Sequence, residues 1–537
     1  MSPESSSAEP FDLAARAAER HVVVVGGGIG GLVAARECAK VGMRVTVLEA
    51  EEVLGGAIRR VDLDGVTVDA GAESYATRGG LVRALVEELD LADRIVVPRA
   101  GGAWLAGIPG VGAAPLPAGG ILGIPSNPFQ PDLRRIIGWS GVWRAYLDRV
   151  RPPLTIGHQL SLGKLVASRM GAKVRDRLVA PVTTGVYSAS PDDIDIDVAA
   201  PGLNAALTRV GSLSGAVQTL RDEAAAKAAA KASATVSEAE AAAPAAPAAA
   251  KTPGAAVEGL SGGMSTLIDA LAADLKRLDA DVRTGVRVRS LRKTGATWSV
   301  EAEFATDVER DGEAALEDAA ADRDVAAESV PPVIEELDAD AVIIATPEST
   351  ARGLLASVTP DLQKTEAAAS PEIEIVTLLL DAPEIASAPR GTGVLTVPGS
   401  HTAKALTHST AKWGWVGAAA GSREIVRVSF GAQGEPAATA RLSDEAAAAL
   451  ARSEAAALLG VAIAPEAVIA SHRGRFVQSQ PASIIGSGAR RAAARAAIEA
   501  VPGVAVVGAW LAGTGLAQVI PDARDEADRL RRALLWD

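Results

Sequence analysis

The sequence predicts an α/β fold with more than one domain. One reason is length, since 537 residues exceed what a single hydrophobic core usually organises. A second is the pattern at the head of the chain, where four valines at 22–25 lead through a glycine-rich turn into an apolar helix at 32–41 and a second strand at 44–48. A third is the spacing of the glycines in that turn, which is typical of parallel sheets that bind nucleotides.

The glycine-rich turn fits the pattern G-x-G-x-x-G at Gly26, Gly28 and Gly31. The first glycine allows a tight turn, the second lets the backbone approach a pyrophosphate, and the third lets the helix pack closely on the strand. The helix N-terminus then faces the phosphates with the positive end of its dipole. Glu49 follows 18 residues after Gly31, where a carboxylate accepts hydrogen bonds from ribose hydroxyls. It disfavours the 2′-phosphate of NADP but suits NAD and FAD equally.

A second glycine pair, Gly55 and Gly56, decides between those two cofactors. A simple NAD fold has no use for it, whereas many FAD enzymes carry such a pair where the backbone passes the ribityl and pyrophosphate groups. An ordinary turn is the alternative. The stretch "GVTVDAGAESY" adds a tight glycine, Gly71, beside the polar Glu73 and Ser74 and therefore favours FAD.

Composition excludes several classes of function. A net charge of −13 argues against a nucleic-acid partner. The single cysteine, Cys38, excludes an intramolecular disulfide and is interpreted as a buried helix residue. No histidines pair at metal-binding spacing, so no metal is predicted, and the histidines at 158, 401, 408 and 472 are interpreted as structural. The N-terminus lacks the features of a signal peptide and no transmembrane helix is predicted, so a cytoplasmic location is expected.

Several quoted segments resemble a known family. The pattern "VVVVGGGIGGLVAA…VTVLEAEEVLGGAIR…DGVTVDAGAES" is similar to flavoproteins with two dinucleotide-binding-type domains, which include amine oxidases, phytoene desaturases and porphyrinogen oxidases. The segments "RLVAPVTTGVYSASP" at 177–191 and "KALTHSTAKWGW" at 404–415 resemble bacterial protoporphyrinogen and coproporphyrinogen oxidases. This resemblance extends along most of the chain.

The resemblance implies one non-covalent FAD per chain and a porphyrinogen substrate. The substrate would lose six hydrogens in three hydride transfers to flavin N5, with O2 as the final acceptor, so no side chain is nominated as a catalytic base. The product would pass to a ferrochelatase. Coproporphyrinogen III is the expected substrate and protoporphyrinogen IX the alternative. Another flavin oxidase, such as an amine oxidase or carotenoid desaturase, and a non-catalytic FAD-binding protein stay open.

The resemblance also implies a set of cofactor-binding residues. They are Gly26, Gly27, Gly28, Ile29, Gly30 and Gly31 at the pyrophosphate, Glu49 and Ala50 at the ribose, Val286 at the adenine, Gly55 and Gly56 where the backbone passes the ribityl and pyrophosphate groups, and Gly71, Ala72, Glu73, Ser74, Thr514, Gly515 and Leu516 at the flavin ring. Two departures from the family pattern stand out: the closing turn reads "AGTGLAQVIPDA", and Gly474 follows Arg473 where the family has tryptophan.

The expected architecture has a Rossmann-like FAD-binding domain, a mixed-sheet substrate domain and a small helical domain. The predicted ranges are a disordered tail (1–20), the FAD-binding domain (21–76, 257–300 and 500–537), the substrate domain (77–95, 190–221 and 338–499), the helical domain (96–189) and two low-complexity insertions (222–256 and 305–337).

Candidate substrate contacts each have a structural alternative. Five arginines could pair with propionates or line a solvated helix face: Arg134, Arg135, Arg144, Arg149 and Arg151. In the uncharged stretch 100–131, Trp104 and Phe129 could wall an apolar cavity, touch the inner face of a membrane or pack in the core. Trp413 and Trp415 are interpreted as core rather than substrate-stacking residues.

Overall fold

In a computed structural model of the chain, the structure describes residues 10–151, 160–235, 257–304, 333–477 and 483–536. The strands of these residues are β1 His21–Val25, β2 Arg44–Leu48, β3 Arg60–Leu63, β4 Val66–Asp69, β5 Tyr75–Ala76, β6 Ile95–Val96, β7 Ala103–Ile108, β8 Gly112–Pro115, β9 Gly120–Ile121, β10 Ile124–Pro125, β11 Val257–Leu260, β12 Asp281–Arg283, β13 Val286–Thr294, β14 Thr297–Phe304, β15 Val333–Ala339, β16 Ala341–Ile344, β17 Glu372–Leu380, β18 Gly393–Thr396, β19 Ala405–His408, β20 Glu424–Phe430, β21 Val468–Val477 and β22 Val504–Val506.

The α-helices of the same residues are Pro10–Glu19, Ile29–Ala39, Leu81–Glu88, Pro131–Tyr146, Leu162–Met170, Ala172–Val174, Ala180–Tyr187, Ile196–Ala199, Leu203–Val210, Leu213–Thr235, Ser265–Arg277, Glu348–Leu355, Pro360–Gln363, Ser409–Lys412, Gly414–Ala420, Asp444–Leu459, Ser487–Glu499, Ala509–Ala512 and Leu516–Trp536. Five short 3-10 turns and one π-helical turn complete them: Ala92–Arg94, Leu147–Val150, Pro191–Asp193, Pro383–Ile385, Pro465–Ala467 and Arg175–Val179 (π).

A parallel five-stranded sheet forms the first half of the fold, in the order β12-β2-β1-β16-β22. Its central strand β1 is buried on both faces, because Val22 and Val24 pack into one hydrophobic core and Val23 and Val25 into another. Near-continuous apolar runs are what a parallel sheet covered on both sides requires. The predicted strand–helix–strand unit at the head of the chain is confirmed.

A mixed seven-stranded sheet forms the second half, in the order β21-β17-β20-β19-β18-β7-β8. All of its neighbours are antiparallel except β18 and β7. One face buries alternate apolar residues of β17 and β20 against the helix Asp444–Leu459. On the opposite face, Leu379 and Ile425 pack against residues of β3 and β4. The predicted α/β multidomain fold with a mixed sheet is confirmed.

The helices between residues 131 and 235 share a core of their own. A buried ion pair anchors it, in which Arg169 Nε donates to the fully buried Asp148, and Asp148 also accepts from the backbone amide of Ser214. Gly138 breaks the first of these helices with a φ of 67°. No helix of the described residues is long and apolar enough to span a bilayer.

The domain ranges predicted from the sequence need correction around the parallel sheet. β16 lies inside the range 338–499 predicted for the substrate domain, yet it pairs with β1 and β22. The helices Glu348–Leu355 and Ser487–Glu499 also pack into the core beneath β1. Local hydrophobic periodicity identifies a buried element but does not tell which sheet it joins.

The same cause explains three further corrections. The helix Leu81–Glu88, predicted for the substrate domain (77–95), buries its apolar side in the core of the parallel sheet. β7 and β8, predicted for the helical domain (96–189), are strands of the mixed sheet. Helices of the range 190–221, predicted for the substrate domain, bury into the helical core.

The predicted tail and insertions overlap the described residues only in part. Pro10–Glu19 is a helix rather than disordered tail, because Ala17 packs into the core of the parallel sheet. β15 occupies 333–337, predicted as insertion, because it has a full antiparallel partner in β14. The first insertion begins within the helix Leu213–Thr235. The remainder of the tail and insertions lies outside the described residues.

Candidate functional site

The phosphate loop, residues 26–31, forms the strand-to-helix turn that its glycine pattern predicts. Gly28 immediately precedes the helix Ile29–Ala39, and no side chain caps that helix, so its first backbone amides are available to an anion. A β-carbon on Gly28 would meet no atom within 4 Å, whereas one on Gly31 would lie 2.0 Å from the carbonyl oxygen of Gly26. The loop is therefore open where a phosphate would approach and closed where the helix packs on the strand.

Glu49 lies beside the phosphate loop. Its carboxylate accepts hydrogen bonds from the amides of Gly27 at 2.6 Å and Glu51 at 2.9 Å. Its backbone carbonyl accepts from the amide of Val286 at 2.8 Å, so the structure brings the predicted ribose and adenine residues together. Ala50 follows Glu49 on the exposed side. A carboxylate has about four acceptor sites, which leaves capacity for ribose hydroxyls.

Gly55 and Gly56 lie directly against the same loop. The amide of Gly55 donates to the carbonyl of Gly27 at 2.9 Å, and Gly28 pairs with Gly55 in an isolated parallel bridge. Gly55 has a φ of 116°, and a β-carbon there would lie 2.3 Å from the Ile58 carbonyl oxygen. This pair is thus more than a surface turn, because it forms the second wall of the phosphate loop.

The backbone continues from this wall to the mixed sheet. The carbonyl of Ala57 accepts from the amide of Ala72 at 3.0 Å, and a β-carbon on Gly71 would lie 2.0 Å from the same carbonyl oxygen. The carbonyls of Ala70 and Gly71 in turn accept from the guanidinium of Arg427 in β20. A long dinucleotide that starts at the phosphate loop would therefore have a continuous row of backbone leading to the second sheet.

Residues on either side of the predicted closing turn, Thr514–Leu516, lie against Gly30 of the phosphate loop. A β-carbon on Gly30 would lie 3.3 Å from Val519 Cγ1 and 3.5 Å from the amide nitrogen of Gly508. β-Carbons on Gly508 and Gly515 would meet nothing within 4 Å. These glycines and the phosphate loop therefore leave open space beside the uncapped N-terminus of the helix. This space fits an extended dinucleotide such as FAD.

Glu73 is the centre of a charged network between the two sheets. Lys412 forms an ion pair with Oε1 of Glu73, and Arg427 Nη1 donates to Oε2 at 2.9 Å. Burial raises the pKa of Glu73, but the charges and hydrogen bonds of Lys412 and Arg427 outweigh it and lower the pKa to about 2. Glu73 is therefore an anion at neutral pH, which excludes it as a proton donor.

Asp69 is buried at the end of β4 beside this network. Its carboxylate accepts from the amide of Met264 at 2.8 Å. Burial raises its pKa to about 7, although the charge of Arg427 and the Met264 hydrogen bond oppose the rise. The buried Nε of Arg427 and the hydroxyl of its register partner Thr377 have no hydrogen-bond partner in the described part of the chain. The site thus contains unsatisfied polar atoms, as a cofactor or substrate site would.

Sequence reasoning missed Lys412 and Arg427 as site residues. Arg427 lies between two buried valines in the strand "EIVRVSF", and a cation in a buried strand is itself a signal of a functional partner. Lys412 lies within the motif "KALTHSTAKWGW", but its partner Glu73 is 339 residues away in sequence. Only the fold reveals that pairing.

The departure at Arg473 and Gly474 has a plain structural meaning. Arg473 faces away from the site, because its guanidinium donates to the carbonyls of Thr439 and Leu442 at 2.9 Å and pairs with Asp444 at 2.8 Å. Gly474 faces the site, because a β-carbon placed on this glycine would lie 3.7 Å from the carbonyl oxygen of Ala70. The two neighbours therefore lie on opposite faces of the mixed sheet.

A cleft of about 530 Å³ lies between the helical domain and the end of the mixed sheet, and residues that line it include Arg175, Thr184, Ser188, Gln433 and Glu435. Ser188 accepts a hydrogen bond from Nζ of Lys404 at 2.6 Å. Burial lowers the pKa of Lys404 to about 8.

The structure does not gather the five predicted arginines at this cleft. Arg144 donates to the carbonyls of Ser168 and Arg169, while the guanidinium groups of Arg134 and Arg149 stack on Trp139 and Tyr146. Arg135 and Arg151 are exposed. Arg144 is half-buried, whereas the other four arginines line a solvated face, as their structural alternative predicts.

The remaining candidates are mostly structural. Cys38 is fully buried, and burial raises the pKa of its thiol to about 12. Trp413 is buried with Trp415 packed beside it, while Trp104 packs into the core of the mixed sheet. His408 hydrogen-bonds Glu424 at 2.8 Å, His401 pairs with Glu454 at 3.4 Å, and His472 is partly buried in β21. His158 lies outside the described residues.

The chain belongs to the family of flavin-containing amine oxidoreductases, because the family model matches residues 29–531. By family, the protein is therefore a flavoprotein oxidoreductase. The resemblance of its sequence motifs to this family is confirmed.

Relatives within that family carry more specific names. The chain is 35% identical to coproporphyrinogen III oxidase of Propionibacterium freudenreichii subsp. freudenreichii over 287 residues, which span 52% of this chain and 54% of the relative. It is 25% identical to coproporphyrinogen III oxidase of Bacillus subtilis over 516 residues, or 95% of this chain and 96% of the relative.

A solved structure shares the whole architecture. It is an Exiguobacterium sp. 255-15 protein assigned as a protoporphyrinogen oxidase, with a TM-score of 0.73, 21% identity, and coverage of 96% of this chain and 99% of that one. At this identity the likeness establishes the fold alone.

Proposed function

We propose that the protein is an FAD-dependent porphyrinogen oxidase that converts coproporphyrinogen III to coproporphyrin III with O2 as acceptor. The single observation that carries the proposal is the similarity along 95% of the chain to a relative named coproporphyrinogen III oxidase. The row of backbone from the phosphate loop to the mixed sheet supports FAD rather than a shorter flavin, since it offers room for both halves of a dinucleotide.

The chain's own residues would bind and orient the cofactor. Gly28 and the helix that follows it would hold the pyrophosphate, and Glu49 with Val286 the adenosine, while the backbone at 71–74 and 514–516 would face the flavin ring. When bound, FAD would supply a two-electron acceptor for a hydride from a meso carbon, with O2 as the final electron acceptor. Three such rounds remove six hydrogens and reduce three O2 to three H2O2. Buried Cys38 would make no covalent link to the flavin.

Two alternatives are distinguishable by substrate. Protoporphyrinogen IX carries two carboxylates where coproporphyrinogen III carries four, so the two differ in the cations that they require. Another flavin oxidase would turn over an amine or a carotenoid instead. A non-catalytic flavoprotein would bind FAD and oxidise none of these.

The test is an aerobic fluorescence assay of the FAD-loaded protein with each porphyrinogen separately. Porphyrin fluorescence that rises well above the spontaneous rate with coproporphyrinogen III, and less with protoporphyrinogen IX, is the expected result. Acceleration with neither substrate, despite bound flavin, would refute the oxidase proposal. Acid release of FAD, identified by chromatography, checks the cofactor and its non-covalent attachment.

We also propose a peripheral membrane contact on the helical domain, followed by transfer of the product to a ferrochelatase. Trp139, Trp143 and Val150 are 56%, 55% and 70% exposed, and Phe129 packs edge-on against Trp143 at 5.5 Å between ring centres. Exposed aromatic rings among arginines suit a lipid interface. The Trp139→Ser, Trp143→Ser double variant should lose co-sedimentation with anionic phosphatidylglycerol vesicles while keeping oxidase activity on soluble substrate. Equal sedimentation of variant and wild type would refute the contact.

A further inference from the structure

One aromatic ring lies between the mixed sheet and the backbone at Gly71. In β21, Phe476 is the register partner of Ile373, and Gly474 is the register partner of Ile375. Ile375 and Thr377 alternate along β17, and Thr377 pairs with Arg427. Directly opposite residues share a face, and so do residues two apart on one strand. Phe476 and Gly474 therefore share the face of the mixed sheet that carries Arg427.

The Phe476 ring fills the space above two glycines. A β-carbon on Gly474 would lie 2.7 Å from Cε2 of this ring, and a β-carbon on Gly71 would lie 3.2 Å from its Cε1. Gly71 lies at the end of the backbone row that starts at the phosphate loop. The ring thus occupies the junction between that row and the mixed sheet, and it remains partly exposed there.

We propose that Phe476 is the aromatic wall of the flavin site and that Gly474 is glycine because this ring lies over it. The inference rests on the proposed course of FAD along the backbone row to Gly71. A flat heteroaromatic ring that reaches Gly71 would meet the partly exposed Phe476 edge-on or offset, the arrangements that aromatic pairs prefer. A side chain at 474 would displace the phenyl ring. Phe476 therefore takes the place of the tryptophan that the family has at position 474. Phe476 is a positioning residue and takes no part in proton or hydride transfer.

The test is a double-mutant cycle read out by FAD binding. Phe476→Ala should weaken FAD binding by the apoprotein about tenfold and shift the flavin absorption bands, since an aromatic contact of this kind contributes about one decade in Kd. Gly474→Ala should weaken binding by displacing the ring, but in the Phe476→Ala background it should add less than about threefold, because no ring is left to displace. The Gly474→Trp, Phe476→Ala variant should recover most of the affinity.

Two controls keep the result interpretable. Phe129→Ala removes a more exposed phenyl ring from the helical domain and should leave the FAD affinity unchanged. Phe476→Leu fills most of the same volume without a π-system, so it should keep the fold, as judged by circular dichroism of the apoprotein, and should shift the flavin absorption bands as Phe476→Ala does. It also serves if Phe476→Ala does not fold.

Three outcomes would overturn the inference: wild-type affinity and spectrum in both Phe476 variants, additive effects of Gly474→Ala and Phe476→Ala, or a wild-type protein that binds no FAD. None of these readouts involves a porphyrinogen. A protein that binds FAD as described but oxidises no porphyrinogen would refute the proposed function and leave the aromatic wall intact.

Discussion

Replacing Glu73 by glutamine tests the charged network between the two sheets. The network holds the pKa of Glu73 at about 2, against an ordinary value of 4.5. At about 1.4 kcal/mol per pH unit, this difference favours the charged form by about 3 kcal/mol. The substitution would also leave Lys412 and Arg427 buried without a counter-ion, a change that typically costs 3–5 kcal/mol. Glu73→Gln should therefore lower the free energy of unfolding by about 3 kcal/mol at pH 7.

Urea unfolding monitored by tryptophan fluorescence measures this loss. Because the folded-state pKa lies below that of the unfolded chain, the contribution is complete above about pH 4.5 and is lost as the pH falls towards 2. The wild type and the variant should therefore converge in acid. Asp269→Asn is the matched control, since the Arg60–Asp269 ion pair is more than half exposed and should contribute at most about 1 kcal/mol. A Glu73→Gln effect no larger than that of the control, or one that does not change with pH, would refute the reasoning.

Three further predictions follow from the same geometry. Burial raises the pKa of Asp69 to about 7, so the free energy of unfolding should fall as the pH rises from about 4 to 7. Asp69→Asn should remove up to about 4 kcal/mol of that fall, as measured by urea unfolding, and an unchanged pH dependence would contradict the prediction. Asp148→Asn should lower the free energy of unfolding by about 3–5 kcal/mol, because it leaves the buried Arg169 without its counter-ion in the helical core. A thermal midpoint equal to that of the wild type would contradict this prediction. Gly28→Ala should fold normally but weaken FAD binding at least about tenfold, whereas Gly31→Ala should impair folding of the apoprotein, because only the β-carbon at position 31 collides with backbone. Circular dichroism measures folding and FAD titration measures binding, and identical behaviour of the two variants would contradict this interpretation of the loop.

The parts of the site that lie close together in sequence could be predicted. The phosphate loop and Glu49 fall within one strand–helix–strand unit, where each residue type has a local physical reason. The pattern of FAD enzymes predicts that Gly55 and Gly56 pass close to a cofactor, and this stays a prediction. The structure places the amide of Gly55 against the carbonyl of Gly27.

The parts that depend on distant pairing could not be predicted. The network of Glu73, Lys412 and Arg427 needs residues more than 300 positions apart, and neither composition nor periodicity encodes that distance. The change at Gly474 reads in sequence as a weakened motif. In the structure it has a cause, because the compensating Phe476 ring is two residues away on the same face of the strand.

The strand order of the parallel sheet sets the sequence in which the protein can assemble. β1 and β2 emerge first during synthesis, but β16 arrives some 300 residues later and β22, at the far edge, only after every strand of the mixed sheet has been made. Contacts of such sequence separation form slowly, because a long loop must close before they can stabilise the chain. The ribosome therefore releases the strands of the mixed sheet while the parallel sheet is still incomplete. Its exposed edge is a point at which nascent chains could pair with one another, and the last strand to arrive, β22, completes that half.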